Sequence, residues 1–266
     1  MGIIKHDLNN VINFDKLAIS TGWLGKHLKC FNRIDSTQSV AKDIANESPN
    51  GTIVLSNEQT SGKGRLNRKW FSSSNNGLWM SVIMKPNLEP QVVSQLTLLT
   101  SVAIAQTLKE FQIKAEIKWP NDCVVNGKKI AGVLTEASIT ENVIDFVVIG
   151  IGINLFQCKD GFPEEIQNTA TSMKLISEYS YSKFQVFEKL IVNLEELINQ
   201  FMDSGFSPIR EKWLSNTTSI GKSVFVDMGQ KKEFGTISGL SSEGYLLLKI
   251  DEKHTVPILF GDVHFL

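Results

Sequence analysis

Gly150 and Gly152 lie two residues apart in an otherwise apolar run, residues 148–154, that reads VIGIGIN. Residues two apart on a strand point to the same face, so one face of this run is stripped of side chains. A bare strip weakens packing unless a ligand or another stretch of backbone fills the space. A flat apolar ligand is the natural occupant. Gly132, in the neighbouring apolar run at 129–136, extends the same surface.

Strand-like and helix-like segments alternate around that strip. Residues 51–56, 78–84, 115–119, 129–136 and 145–153 are rich in Val, Ile and Leu and read as strands. Val92, Leu96, Leu99 and Ala103 share a helical face, which predicts a helix over 91–111. A second stripe from Phe184 to Phe201 predicts a helix over 182–201, with Ser182 and Gln185 at capping-box spacing. This mixed order predicts an α+β fold, a sheet covered by helices on one side. From Ile220 onward, short strands at 223–227, 234–238, 245–250 and 255–259 are separated by glycines, the pattern of a small β-barrel. The expected organisation is a lead-in segment (1–32), a main domain (33–218) and a C-terminal domain (219–266).

Composition removes several classes of function. Lys and Arg total 27 against 28 Asp and Glu, so no global positive field draws in nucleic acid and any cationic site must be local. No apolar run approaches the ~20 residues of a membrane helix. The opening MGIIKHDLNN lacks a basic segment followed by an apolar core, which leads us to expect a cytoplasmic protein. Three cysteines without CxxC spacing and four scattered histidines do not suggest a disulfide framework or a Cys/His metal centre.

Local cations appear at 59–70, QTSGKGRLNRKW. Gly62 and Gly64 let main-chain N–H groups approach a ligand, and Lys63, Arg65, Arg68 and Lys69 supply charge for carboxylate or phosphate. The spacing is not that of a Walker A loop. At 118–122, KWPND follows a strand, and Pro120 biases Trp119 to an extended conformation that presents Asn121 and Asp122 at the strand's end. Lys129, just before an apolar run, is either a snorkelling edge residue or a cation turned inward to an anion.

Taken in order, Asp35-Ser36-Thr37, Gln59, the 62–65 loop ending in Arg68-Lys69-Trp70, Lys118 to Asp122, Lys129 to Gly132 and Gly150 to Asn154 resemble the biotin protein ligase family. The resemblance runs from about Arg33 to the carboxyl terminus and is closest to the compact form without an amino-terminal DNA-binding domain. It implies a catalytic domain related to class II aminoacyl-tRNA synthetases and a C-terminal SH3-like β-barrel. It also implies a two-step reaction. Biotin and ATP, with Mg2+, give biotinyl-5′-adenylate, and a lysine of an acceptor then takes the biotin in amide linkage.

The site residues carried by the resemblance are Ser36, Thr37, Gln38, Gln59, Gly62, Lys63, Gly64, Arg65, Lys129, Gly132, Gly150 and Gly152 for biotin. Those for ATP are Arg65, Arg68, Trp70, Lys118, Asn121, Lys129 and Asn154. Arg65, Lys129 and Asp122 are the expected catalytic residues, with Asp122 orienting or deprotonating the incoming lysine. Magnesium would be held mainly by phosphate oxygens, with Asn121 nearby. Lys63 stands where many members carry arginine, so a bidentate contact there is not expected. The implied partner is the biotin carboxyl carrier protein or domain of a biotin-dependent carboxylase; neither DNA nor membrane is expected, and an exposed sheet edge could pair two copies into a homodimer. Residues 156–168, polar and containing Gly161 and Pro163, are expected to form a mobile cover over the adenylate. Lipoyl or octanoyl transfer on the same fold is the competing reading, and a biotin sensor acting on DNA is a third.

Overall fold

Opposite residues of a single strand serve two different layers. The computed structural model describes residues 19–266, and the part of the lead-in segment before residue 19 lies outside them. The chain runs β1 (Leu28–Ile34), α1 (Thr37–Ile44), β2 (Ile53–Gln59), β3 (Gly77–Met84), α2 (Val93–Glu110), β4 (Glu116–Lys118), β5 (Asp122–Val125), β6 (Lys128–Thr140) and β7 (Val143–Asn154). Then follow α3 (Met173–Ile176), α4 (Lys183–Ser204), α5 (Ser207–Ser215), β8 (Ser223–Asp227), β9 (Lys232–Leu240), β10 (Leu246–Lys249), β11 (Thr255–Ile258) and β12 (Asp262–Phe265). The first sheet has the order β1-β2-β3-β7-β6-β5-β4. Its β1–β2 pair is parallel, and the other neighbours are antiparallel.

On β7, Val147, Ile149, Ile151 and Ile153 join the large apolar core with α2 and α4, while Phe146 and Val148 belong to a separate small core with Ala41 and Ala45 of α1 and the following turn. Helices therefore cover both faces, where the sequence pattern had suggested one. α1 is short: its apolar residues meet Phe146 and Val148, and its polar Gln38 side chain reaches as far as Gly150. The same row continues as Gly152, so the strip without side chains emerges from beside the helix. That is where the site forms.

α2 lies within the helix Pro90–Glu110, which is long and apolar enough to cross a membrane by length and composition, contrary to the expectation from the sequence. Two-thirds of its 18-residue apolar stretch, 67%, is buried inside the fold, so its apolar surface is used up by the sheet, α4 and α5. α4 begins as expected: the Ser182 hydroxyl accepts from the Gln185 N–H, and the Gln185 side chain accepts from the Ser182 N–H.

Glu195 of α4 holds the chain entering the domain. Its carboxylate accepts from the backbone N–H groups of Gly22 (2.5 Å), Trp23 (2.8 Å) and Leu24 (2.7 Å). Burial alone would raise its pKa, but these three donors prevail and hold it below the ordinary carboxylate value. A depressed folded-state pKa gives stability above the unfolded value of about 4.3 that is lost as pH falls through the folded-state pKa. Glu195→Gln is expected to cost about 1–3 kcal/mol in urea unfolding at pH 7, with the gap to wild type narrowing below about pH 4. A gap of constant size down to about pH 3 would refute this account of the clamp.

The second sheet, order β11-β10-β9-β8-β12, is antiparallel throughout. Its inward residues Val224, Val226, Ile237, Leu246 and Leu248 belong to the same apolar cluster as α2 and α4. Arg210 of α5 also donates from Nε to the Leu240 carbonyl at 2.7 Å. The C-terminal sheet is thus packed firmly onto the main domain, which fixes its loops relative to the bare strip.

Candidate active site

The register of the first sheet lines up the reactive residues. Asp122 pairs with Gly132, Gly132 with Gly152, and Gly152 with Trp79, one row crossing β5, β6, β7 and β3. Residues in one row share a face. Asp122 therefore projects at the end of a stripe whose next two positions have no side chain.

Lys129 and Gly132 are three residues apart, which in a regular strand would put them on opposite faces. The register of β5 against β6 slips between Cys123 and Val124, so Val124 pairs with Lys129 and not with Ile130. This bulge leaves both Ile130 and Ala131 in the core and returns Lys129 to the face of Asp122 and Gly132. Lys129 Nζ lies 2.5 Å from Asp122 Oδ1 and 5.1 Å from the centre of the Trp70 ring. The lysine is the inward-turned cation and not an edge residue.

A cavity of about 140 Å³ opens over this row. At one end, beside α1, is a network of short polar side chains. Thr37 donates from its N–H (2.8 Å) and hydroxyl (3.1 Å) to Gln59 Oε1, and Gln59 Nε2 donates to Ser72 Oγ at 2.8 Å. Ser81 donates to Thr37 Oγ1 and Gln38 Oε1, while Gln38 Nε2 reaches the Val148 carbonyl at 3.2 Å. Ser36, 1% exposed, keeps a hydroxyl without a partner. A buried unpaired hydroxyl facing a cavity is a group waiting for a polar ligand atom.

The loop after β2 brings the cations. Gly62 accepts from the Trp70 N–H, and an added Cβ there would lie 2.4 Å from the Trp70 carbonyl, so only glycine lets the two arms of the loop meet. The turn closes with Gly64 N–H on the Arg68 carbonyl (2.8 Å) and with Leu66 and Asn67 at φ 54° and 59°. Arg65 donates to Asn121 Oδ1 at 3.2 Å and to the Gly261 carbonyl at 3.3 Å, and lies 3.5 Å from Asp262. Arg68 is ion-paired with the same Asp262. Burial lowers the Arg65 pKa, while Asp262 and Asp122 pull it back up. The C-terminal sheet thus reaches into the site through Asp262, a residue with no local signal in the sequence.

Of the residues expected from the sequence, Ser36, Thr37, Gln38, Gln59, Lys63, Gly64, Arg65, Arg68, Trp70, Asn121, Asp122, Lys129, Gly132, Gly150 and Gly152 line this one cavity. Three do not. Gly62 shapes the loop from behind. Lys118 has its ammonium 5.4 Å from the Phe265 ring centre. Asn154 donates to the Thr171 carbonyl at 2.9 Å and accepts from Gln157. Lys69, expected from the sequence as one of the loop's cations, also lines the cavity, as do Ser81 and Asp262, which were not expected. Trp70 lies directly on the strip: an added Cβ at Gly152 would be 2.4 Å from its indole nitrogen, and one at Gly132 would be 3.1 Å from its ring. The segment expected to be a mobile cover has two short 3₁₀ turns, Lys159–Gly161 and Glu164–Ile166, and buries Gln157 and Phe162.

Residues 30–154 match the model of the biotin/lipoate A/B protein ligase family, and residues 219–266 match that of the biotin protein ligase C-terminal domain. The chain is 38% identical over 239 residues to the bifunctional ligase/repressor BirA of Bacillus spizizenii, covering 89% of this chain and 74% of that protein. The chain belongs to the biotin protein ligase family. A further member, the biotin–[acetyl-CoA-carboxylase] ligase of Paracoccus denitrificans, is 28% identical over 82% of this chain and 92% of its own length. The structure of the biotin protein ligase from Aquifex aeolicus in complex with biotin and ATP superposes with a TM-score of 0.77 at 31% identity, covering 90% of this chain and 98% of that one. The fold is accordingly the biotin protein ligase fold, a class II synthetase-like mixed sheet followed by an SH3-like C-terminal sheet.

Proposed function

We propose that this chain joins biotin to ATP as biotinyl-5′-adenylate and then transfers the biotin to a lysine of a biotin carboxyl carrier protein or domain, in the cytoplasm. Membership of the family supports both steps. The observation that carries the reading is the single face on which a row of one carboxylate and two glycines is joined by an inward lysine.

In the first step a biotin carboxylate oxygen attacks the α-phosphorus and the bond to pyrophosphate breaks. Two anions must meet, and Arg65 and Lys129 offset their repulsion while Arg68 faces the departing phosphates. The biotin ring lies toward Ser36, Thr37, Gln38 and Gln59, whose donors and acceptors suit a ureido group, and its chain runs over Gly150 and Gly152. Trp70 lifts from Gly132 and Gly152 to face the nucleotide, which extends toward Asn154 and Lys118. Among the described residues no three carboxylates or histidines converge on a metal site, and Asp122 and Asp262 already face cations. Mg2+ would enter with the phosphates of ATP, with Asn121 nearby.

In the second step the lysine amine attacks the carbonyl of the adenylate and AMP leaves. An amine of pKa about 10.4 is mostly protonated at neutral pH and needs a base. Asp122 serves once Lys129 has turned from it to the phosphate. The open edge of β6 beyond its pairing with β5 is where a second copy would add a strand if the protein is a homodimer.

Incubation with biotin, MgATP and a carrier domain is expected to release AMP and pyrophosphate and to add one biotinyl group to the carrier by mass. Lipoate should not replace biotin. Transfer of lipoate in preference, or no adenylate with either acid, would overturn the reading. Gly152→Ala puts a methyl group where ligand or indole must lie, and overpacking costs about 1–3 kcal/mol. Its expected effect is a rise of about tenfold or more in the calorimetric Kd for biotin, and unchanged affinity would show that biotin binds elsewhere.

A further inference from the structure

A second cavity, of about 270 Å³, adjoins the first and shares Arg65, Asn121, Val133 and Leu134 with it. It lies between the start of α2 (Val93, Leu98), the turn at Trp119 and Pro120, and the β11–β12 turn of the C-terminal sheet. That turn carries Leu259 and Phe260, which are 55% and 60% exposed. Single exposed apolar residues need no explanation, but these two are adjacent and rigidly aimed. Arg65 donates to the carbonyl of the next residue, Gly261, and both Arg65 and Arg68 pair with Asp262. An added Cβ at Gly261, whose φ is 140°, would lie 2.6 Å from Val226. The turn is therefore held against the catalytic loop with its two apolar side chains facing outward.

Resting on the ligase reading above, we propose that this groove is the docking surface for the carrier domain, with Leu259 and Phe260 as its anchors. A lysine has a four-carbon stem, so an acceptor whose amine reaches Asp122 must rest its own surface against the rim of the catalytic cavity. The groove forms that rim. Apart from Arg65 and Asn121, whose amide is engaged by Arg65 and the Val133 carbonyl, its lining is apolar, glycine or hydroxyl, unsuited to a phosphate and suited to the apolar surface of a folded domain. A second copy of this chain seated there would obstruct the amine's approach, whereas the carrier supplies the amine itself. Buried apolar anchors in a pocket are the residues expected to dominate such an interface.

The test compares wild type with Leu259→Ser/Phe260→Ser and with the apolar control Phe260→Leu. Biotin-dependent ATP–pyrophosphate exchange without acceptor should stay within about twofold of wild type in both variants, which also establishes that they fold. Trapping of the adenylate by hydroxylamine, a small amine with no surface to dock, should likewise be unchanged. Single-turnover transfer to the carrier domain should show KM raised about tenfold or more in the double variant, with the limiting rate preserved, and near-normal KM in Phe260→Leu. An unchanged carrier KM would overturn the proposal, as would exchange and transfer falling together, or loss of self-association in sedimentation without any change in KM. A wild-type protein that forms no biotinyl-adenylate would instead overturn the ligase reading itself.

Discussion

Lys129→Ala is expected to slow biotinyl-adenylate formation by about a hundredfold or more, because removing one preorganised charge contact from a transition state costs about 3 kcal/mol. The lysine is held from two sides. Its backbone N–H donates to the Thr169 carbonyl at 2.7 Å and its carbonyl accepts from Thr171, which fixes the start of β6. Its ammonium lies between Asp122 and the Trp70 ring. Substitution removes the charge without removing the bulge that positions it, so the fold should persist and the loss should appear in the rate. Lys129→Arg should recover little, since a planar fork cannot occupy the place of a compact ammonium. Pyrophosphate release at the wild-type rate from Lys129→Ala would refute the role.

Asp122→Asn should behave differently. Adenylate forms, because the biotin carboxylate needs no base, while transfer to the carrier falls by about 10²–10⁴, the usual contribution of a positioned general base. Asn keeps the size and a hydrogen-bond acceptor but cannot take a proton from an incoming ammonium. Raising the pH should partly rescue transfer, because deprotonated lysine then arrives without help. Quench-flow measurement of adenylate and biotinylated carrier separates the steps; a variant that loses both in proportion would mean that Asp122 serves the first step through its pairing with Lys129.

Much of this was legible in the chain. Alternation at Gly150 and Gly152 identified the bare strip, and the apolar stripe with its capping box located α4. The strand at 223–227 was found at its observed limits, β8. Other elements left weaker traces. β1 is mostly half-exposed and lacks clean alternation, and α1 is eight residues with few apolar positions, so its Ser36-Thr37-Gln38 start was read as ligand contacts without the helix that presents them. β5 is only four residues long, and of these the sequence reading took in just Asp122, placed at the end of the preceding strand.

The face occupied by Lys129 depends on a bulge, and a bulge is a property of two strands that neither segment reveals alone. Asp262 reaches Arg65 and Arg68 from nearly 200 positions away. Such contacts are set by how the two sheets pack. Lys118 and Asn154 show the reverse case: motif membership suggested the cavity, while a cation–π contact to Phe265 and a hydrogen bond to Thr171 hold them outside it.

The central claim is that one cavity brings a carboxylate and the α-phosphate of ATP together between Arg65 and Lys129. Exchange of labelled pyrophosphate into ATP, without acceptor, tests it most directly. The account predicts exchange that requires biotin, that is nearly abolished in Lys129→Ala and that continues in Asp122→Asn. Exchange that proceeds without biotin, or that survives Lys129→Ala, would contradict it.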